Sequence, residues 1–309
     1  MPDTNSGFEY RESLGPEASG KDLLGYLCGR YLHSAEDEWR QRILSGLVLL
    51  DGLRAGPSSP LSQGQVLTWQ RPPWVEPEAP MSFATLHEDE DLLAVAKPAG
   101  LPVLPGAGYQ QNTLLSLVRR RCPEASPLHR LGRWTSGVML FARTRAARAS
   151  LVRQWEAREV GKLYRALASG EPSRDRFEVS VPIGPVPHPG LGTVHATSPA
   201  GKPAHSLVSV VERRPGAFLC DVRISTGRPH QIRIHLAAAG HPLVGDPLYA
   251  PGGGPLAPPA AGRPPLPGDG GYLLHALAVT FAHPDDLRQM TIYCRPPPAL
   301  ETSREGEDR

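Results

Sequence analysis

Residues 71–80 read RPPWVEPEAP, with four prolines in ten positions. Proline fixes φ and lacks an N–H, so neither a helix interior nor a central strand can run through such a stretch. The chain is therefore expected to fold as two units joined by a stiff linker. Its 309 residues suit one large or two ordinary domains. The 32 glycines and 35 prolines make it rich in turns, yet short of the roughly 25–30% of low-complexity chains. No run approaches the ~18 apolar residues of a membrane span, and the opening MPDTNSGFEY does not read as a signal peptide. Cys28, Cys122, Cys220 and Cys294 lie far apart without a CxxC pair, which argues against a zinc ribbon or disulfide scaffold and suits the reducing cytoplasm.

Residues 1–19 are polar and are read as a flexible N-terminus. Residues 20–70 form a small module: two short helices between Lys21 and Gly46, with Leu23, Leu24, Leu27 and Tyr31 at helical spacing, then strands in LVLLDG and QVLTWQ. The second domain is placed at 81–298. LLAVAKPAGLPVLP looks like a buried strand running into a loop, and NTLLSLVRRR (112–121) like a helix capped by Asn112 or Thr113. GVMLFART is an apolar strand, 146–160 a helix, and KLYRALASG, AHSLVSVVERR, AFLCDVRIST and HALAVTFAHP further strands. HQIRIHLAAAG reads as a helix with Pro229 at its first position and Gly240 at its stop. The Gly/Pro-rich segment 251–271 is expected to be a surface loop rather than part of a site, and 299–309 a charged tail.

The net charge of +2 hides an asymmetry. Residues 1–96 carry 7 Lys/Arg against 15 Asp/Glu, residues 119–176 carry 14 against 5, and residues 200–245 carry 6 against 2. Of the 33 cationic residues only Lys21, Lys97, Lys162 and Lys202 are lysine. Codon usage in a GC-rich genome would account for an arginine excess, but its clustering in one region points to a phosphate-binding face.

Three segments concentrate chemistry. LHRLGRWTSG (128–137) sets Arg130 and Arg133 at the mouth of a strand. GKLYRA (161–166) puts Tyr164 on a strand among cations that include Lys162. STGRPHQIRIHLAAAGHPLVGDPLY (225–249) crowds Arg228, His230 and Arg233 at a helix N-terminus that itself favours an anion. His129, His230, His235 and His241 lack HExxH or Cys/His ligand spacing, so no metal site is expected. Asp246 reads as a turn or capping residue, Thr135 and Ser136 as turn-shaping residues, and no Ser-His-Asp arrangement is legible.

These segments, with GKPAHS and KPAGLPVLP, resemble the signatures of the RluA-type RNA pseudouridine synthases, in order over roughly residues 81–297. The first module is similar to the ribosomal-protein S-four-like RNA-binding module, although it is acidic where such modules are usually basic. The resemblance implies an α+β pseudouridine synthase fold: a mixed, mostly antiparallel sheet with helices flanking a central cleft. It implies isomerisation of uridine to pseudouridine in structured rRNA or tRNA, without metal or organic cofactor, by a cytoplasmic monomer. By the same resemblance Arg130 enters the stack vacated by a flipped uridine, Tyr164 packs on the target base, and Arg233 pairs with a nucleophilic aspartate. His129, Arg133, Lys162, Arg228 and His230 would contact the RNA.

The aspartate position is Gly132 here, while the flanking residues keep the register. Two readings follow: an active synthase using a relocated carboxylate or a water-assisted route, or a catalytically impaired RNA-binding or remodelling protein of the same fold. The nearest acids in sequence are Glu124 and Glu156, and Asp246 and Glu124 are the first to replace if another group does the chemistry. Without the aspartate, Arg233 is expected to face the cleft unpaired.

Overall fold

The computed structural model describes residues 4–31, 33–257 and 266–307. The chain divides into two compact units, Met1–Pro77 and Glu78–Arg309.

In the first unit, strands β1 (Phe8–Ser13), β2 (Val48–Leu50), β3 (Leu53–Arg54) and β4 (Val66–Arg71) form an antiparallel sheet in the order β1-β4-β2-β3. Helices α1 (Leu23–Arg30) and α2 (Glu36–Leu44) bury Leu23, Leu27, Trp39 and Ile43 with Val48 and Leu67. The N-terminus differs from the expected free segment. Residues 8–13 pair along the whole of β4, with Tyr10 stacked on Trp69 at 5.1 Å, because alternation in FEYRES suits an edge strand despite its polarity.

The second unit is built on one large sheet. Its strands are β5 (Ala84–Glu88), β6 (Leu92–Lys97), β7 (Ser126–Pro127), β8 (Ser136–Ala142), β9 (Gly161–Ser169), β10 (Arg176–Val179), β13 (Ser206–Arg214), β14 (Ala217–Ile224), β15 (Leu274–Ala282) and β16 (Gln289–Tyr293). They run β10-β13-β14-β9-β15-β8-β6-β5, with β16 on β15 and β7 on β8; β8 and β15 are parallel and the other pairs antiparallel. A separate hairpin joins β11 (Ile183–His188) to β12 (Gly192–Thr197). This is the mixed, mostly antiparallel α+β sheet expected.

Strand β8 shows why the sheet is covered on both faces. Met139 and Phe141 pack with Leu114 and Val118 of helix α3 (Leu114–Arg121), while Val138 and Leu140 pack with Leu151 of helix α4 (Arg145–Glu156). Alternate residues point to opposite faces, so an unbroken apolar run requires a helix on each. Thr113 and Thr144 cap these helices, accepting from Ser116 N–H and Ala147 N–H. Helix α5 (Gln231–Ala238) is buried throughout residues 231–237, and Ile232 and Leu236 join Ala166, Phe218 and Val222 in the core. It begins later than expected: Pro229 precedes it, and His230 occupies the N-cap in a left-handed conformation, φ 54°.

The C-terminal segment is docked rather than a free tail. Helix α6 (Ser303–Glu307) brings Glu305 to Arg165 of β9 at 2.9 Å, and buried Glu301 accepts from Arg295. Residues 258–265 of the Gly/Pro-rich loop lie outside the described residues. Its C-terminal part belongs to the site described below, contrary to expectation.

Candidate active site

The turn before β8 is closed by Thr135 N–H donating to Gly132 O at 3.1 Å. At Gly137 the parallel neighbour β15 comes so close that a Cβ would collide with the Ala276 backbone, and φ is +111°; only glycine fits. Buried Lys97, at the end of β6, donates to the carbonyls of Pro98, Leu101 and Arg133 at 2.8–2.9 Å. It fastens the 98–101 loop to the turn carrying Arg130 and Gly132, and burial pushes its pKa down to about 7.

A cavity of about 130 Å³ opens inside this turn, lined by Arg130, Gly132, Tyr164, His230, Arg233 and Tyr272 among others. An apolar cavity of ~150 Å³ holds benzene, so this one has the size of a single six-membered ring. It shares Arg130, Tyr164 and Arg228 with a groove of about 380 Å³ that adds His129, Trp155, Glu156, Arg158 and Lys162. The three motifs therefore meet in one place. Arg130 is exposed at the junction, with no salt bridge or hydrogen bond among the described residues. Tyr164, on β9 between Val222 and Ala276, borders both spaces, and burial raises its pKa to about 12.

Arg233 differs most from expectation. It is not unpaired: Nε and Nη2 donate to Asp246 Oδ2 and Oδ1 at 2.7 and 2.8 Å, and Nη1 donates to Pro267 O at 3.0 Å. Its guanidinium also lies 4.2 Å from the Tyr272 ring centre and 4.9 Å from that of Tyr249. Burial works against its charge, but the Asp246 hydrogen bonds and attraction outweigh that and raise its pKa. Asp246 does act at a turn as well, accepting from Leu248 and Tyr249 N–H. Both side chains are almost completely buried.

His129 and His230 act as neutral groups. His129 accepts from Leu140 N–H at 3.1 Å and stacks on Trp155; burial, then the Lys162 charge, lowers its pKa to about 4. The Tyr249 hydroxyl donates to His195 O, so it accepts from His230 Nδ1–H at 2.7 Å. Burial, then Arg233, takes His230 to about 3. Neither supplies a cation for phosphate near neutral pH. His235 is bonded to Ser206 Oγ and Val181 O, and His241 to Ser169 O.

The cations divide similarly. Lys162 and Arg228 line the groove; Arg228 also donates to Pro203 O, and Gln231 fixes its loop by accepting from Arg228 N–H and Thr226 Oγ1–H. Arg133 is not a lining residue. Its guanidinium donates to Tyr109 Oη at 2.6 Å and Gly268 O at 3.2 Å, tying two loops together. Sequence reading missed Lys97, the Asp246 partnership and Tyr272. The signals were KPAG, the acid after Gly245 in GDPLY, and the aromatic three residues before His275.

The family model described as RNA pseudouridylate synthase matches residues 91–238. An uncharacterized RNA pseudouridine synthase of Synechocystis is 43% identical, aligned over 91% of this chain and 96% of its own length. RNA pseudouridine synthase 5 of Arabidopsis thaliana is 37% identical over 97% and 96%. Ribosomal large subunit pseudouridine synthase D of Xylella fastidiosa is 34% identical over 92% and 88%. Among solved structures, human RNA pseudouridylate synthase domain containing 1 matches with TM-score 0.57 at 26% identity, covering 73% of this chain and 89% of that one. Sequence relatives at near full length and a common fold agree with the motifs around the cavity: the chain belongs to the RluA-type family of RNA pseudouridine synthases, isomerases acting on RNA.

Proposed function

We propose that this chain isomerises uridine to pseudouridine in a structured ribosomal or transfer RNA, as a cytoplasmic monomer. The observation that carries this reading is a ring-sized cavity flanked by Tyr164 and an exposed Arg130, opening into a groove with Lys162 and Arg228. A base turned out of its helix fits the cavity, Tyr164 offers an aromatic face, and the groove's cations match the flanking phosphates. The relative from Xylella is named for the large ribosomal subunit, which favours rRNA. The four described cysteines are all unpaired, in keeping with a reducing compartment. Among the described residues no helix is long and apolar enough to cross a membrane. A pseudouridine map of rRNA and tRNA from a strain deleted for this chain is expected to lose at least one site; an unchanged map contradicts the proposal.

RNA binding should weaken with salt. Each phosphate contact contributes a slope of roughly −0.7 to −0.9 in log K against log[salt]. Lys162→Ala and Arg228→Ala are each expected to make the slope shallower by about one such increment. Arg119 and Arg121 are engaged within the chain, by Ala125 O and Glu88 respectively, and should contribute less. A slope unchanged by both groove variants would remove these residues from the RNA interface.

Arg130 has a separate role in this reading. Filling the gap left by a flipped uridine offsets an unstacking cost of a few kcal/mol. A 2-aminopurine beside the target uridine should brighten with the native protein and stay dim with Arg130→Ala; equal brightening by both rules out that role.

A further inference from the structure

Among the described residues, none that lines the inner cavity carries a carboxylate. Asp246 stands behind Arg233, nearly sealed from solvent, with Oδ1 accepting from Arg233, Leu248 and Tyr249 and Oδ2 from Arg233. A carboxylate so held is a counter-ion and cannot reach a substrate. Glu156 lies in the outer groove, and Glu124 lines neither space.

Tyr272 is placed differently. A side chain at position 132 would begin with a Cβ 3.2 Å from Tyr272 Oη, so this hydroxyl occupies the space into which that side chain would grow. Thr135 Oγ1 follows at 3.4 Å. The Tyr272 ring is fixed against Arg233 and buried in the core with Leu274 and Ile232, yet the residue lines the cavity. Its hydroxyl has no hydrogen-bond partner among the described residues, and it is not a fully buried orphan atom. An unpartnered hydroxyl on a rigid ring is thus presented to the ring-sized space. Tyrosine oxygen serves as a nucleophile toward sugar carbons in some glycosidases, and a phenolic oxygen leaves more readily than the alkoxide of a threonine.

We infer that Tyr272 supplies the reacting oxygen at the site where Gly132 leaves none, an assignment that rests on the function proposed above. Tyr272 Oη bonds to ribose C1′ as the C1′–N1 bond breaks, its electron pair going to N1, which takes the hydroxyl proton. Uracil turns within the cavity. The C5=C6 pair then attacks C1′, the bond from C1′ to Tyr272 breaks with its pair returning to the phenolic oxygen, and the C5 proton is transferred to that oxygen. Pseudouridine and the tyrosine hydroxyl result, with no co-reactant.

The test uses the full chain and an RNA transcript that the native protein converts. Tyr272→Phe removes one oxygen and keeps the ring against Arg233. It is expected to lower the single-turnover conversion rate about 100-fold or more while the RNA Kd stays within about twofold. The double variant Gly132→Asp/Tyr272→Phe vacates the space at 3.2 Å for a carboxylate. It should recover conversion to within about tenfold of native, a rescue that a merely structural role would not give. Conversion by Tyr272→Phe within about threefold of native overturns the assignment and leaves the proposed function standing. A native protein that forms no pseudouridine overturns both.

Discussion

Substituting Asp246 by alanine is expected to destabilise the second unit by about 3–5 kcal/mol, because it leaves Arg233 charged and buried without its partner. The bidentate geometry at 2.7 and 2.8 Å and the near-complete burial of both side chains set that scale. At ~2–4 °C per kcal/mol the transition should move down by roughly 10 °C. Removing both charges, in Asp246→Ala/Arg233→Leu, should cost less than the single change, since no uncompensated ion remains. Hydrogen exchange of the α5 amides isolates this unit from the first. A loss below about 1 kcal/mol in Asp246→Ala would mean that Arg233 does not depend on this pair.

Acid should act on the same unit through His129 and His230, whose pKa values lie near 4 and 3 in the folded chain. An unfolded histidine titrates near ~6.5. As pH falls through that value the unfolded chain binds two protons that the native one refuses, so stability drops. Each residue loses ~2 kcal/mol of its contribution between pH 7 and pH 5, and the loss continues as pH falls to its folded value. His235 and His275 are shifted in the same direction, first by burial. Denaturant unfolding at pH 7 and pH 5, again followed at α5 and β14, should show a fall of several kcal/mol, on the order of the sum for the two residues. A change under about 1 kcal/mol would show that these imidazoles accept protons in the native state.

What the sequence made legible was local. The TSG turn, Tyr164 and the QIR helix are each encoded within a few neighbouring residues, and the unbroken apolar run in GVMLFART already implies a strand covered on both faces. The glycine at 132 was visible for the same reason. Its consequence was not, because the counter-ion of Arg233 comes from a loop 13 residues on, where Asp246 was read only for its turn. Tyr272 follows a Gly/Pro-rich run and precedes a strand, so nothing local marks it as facing residue 132. Arg133 and His129 were read as ligands for RNA from their motif. The bonds they make within the chain, to the Tyr109 hydroxyl and the Leu140 amide, reach other segments. The pairing of residues 8–13 and the docking of Glu305 on Arg165 are likewise long-range matters that a polar sequence does not announce.

The central claim is that this fold isomerises uridine with a glycine at position 132. The direct measurement incubates the purified native chain with unmodified rRNA and tRNA transcripts and reads pseudouridine by mass spectrometry, with Gly132→Asp in parallel. Its φ lies outside the left-handed region, so the aspartate adds no backbone strain and only the close approach of Tyr272 opposes it. Pseudouridine is expected at a defined uridine, with multiple turnovers, from the native chain. Pseudouridine from Gly132→Asp and none from the native chain would contradict that claim and leave a protein that binds RNA without converting it.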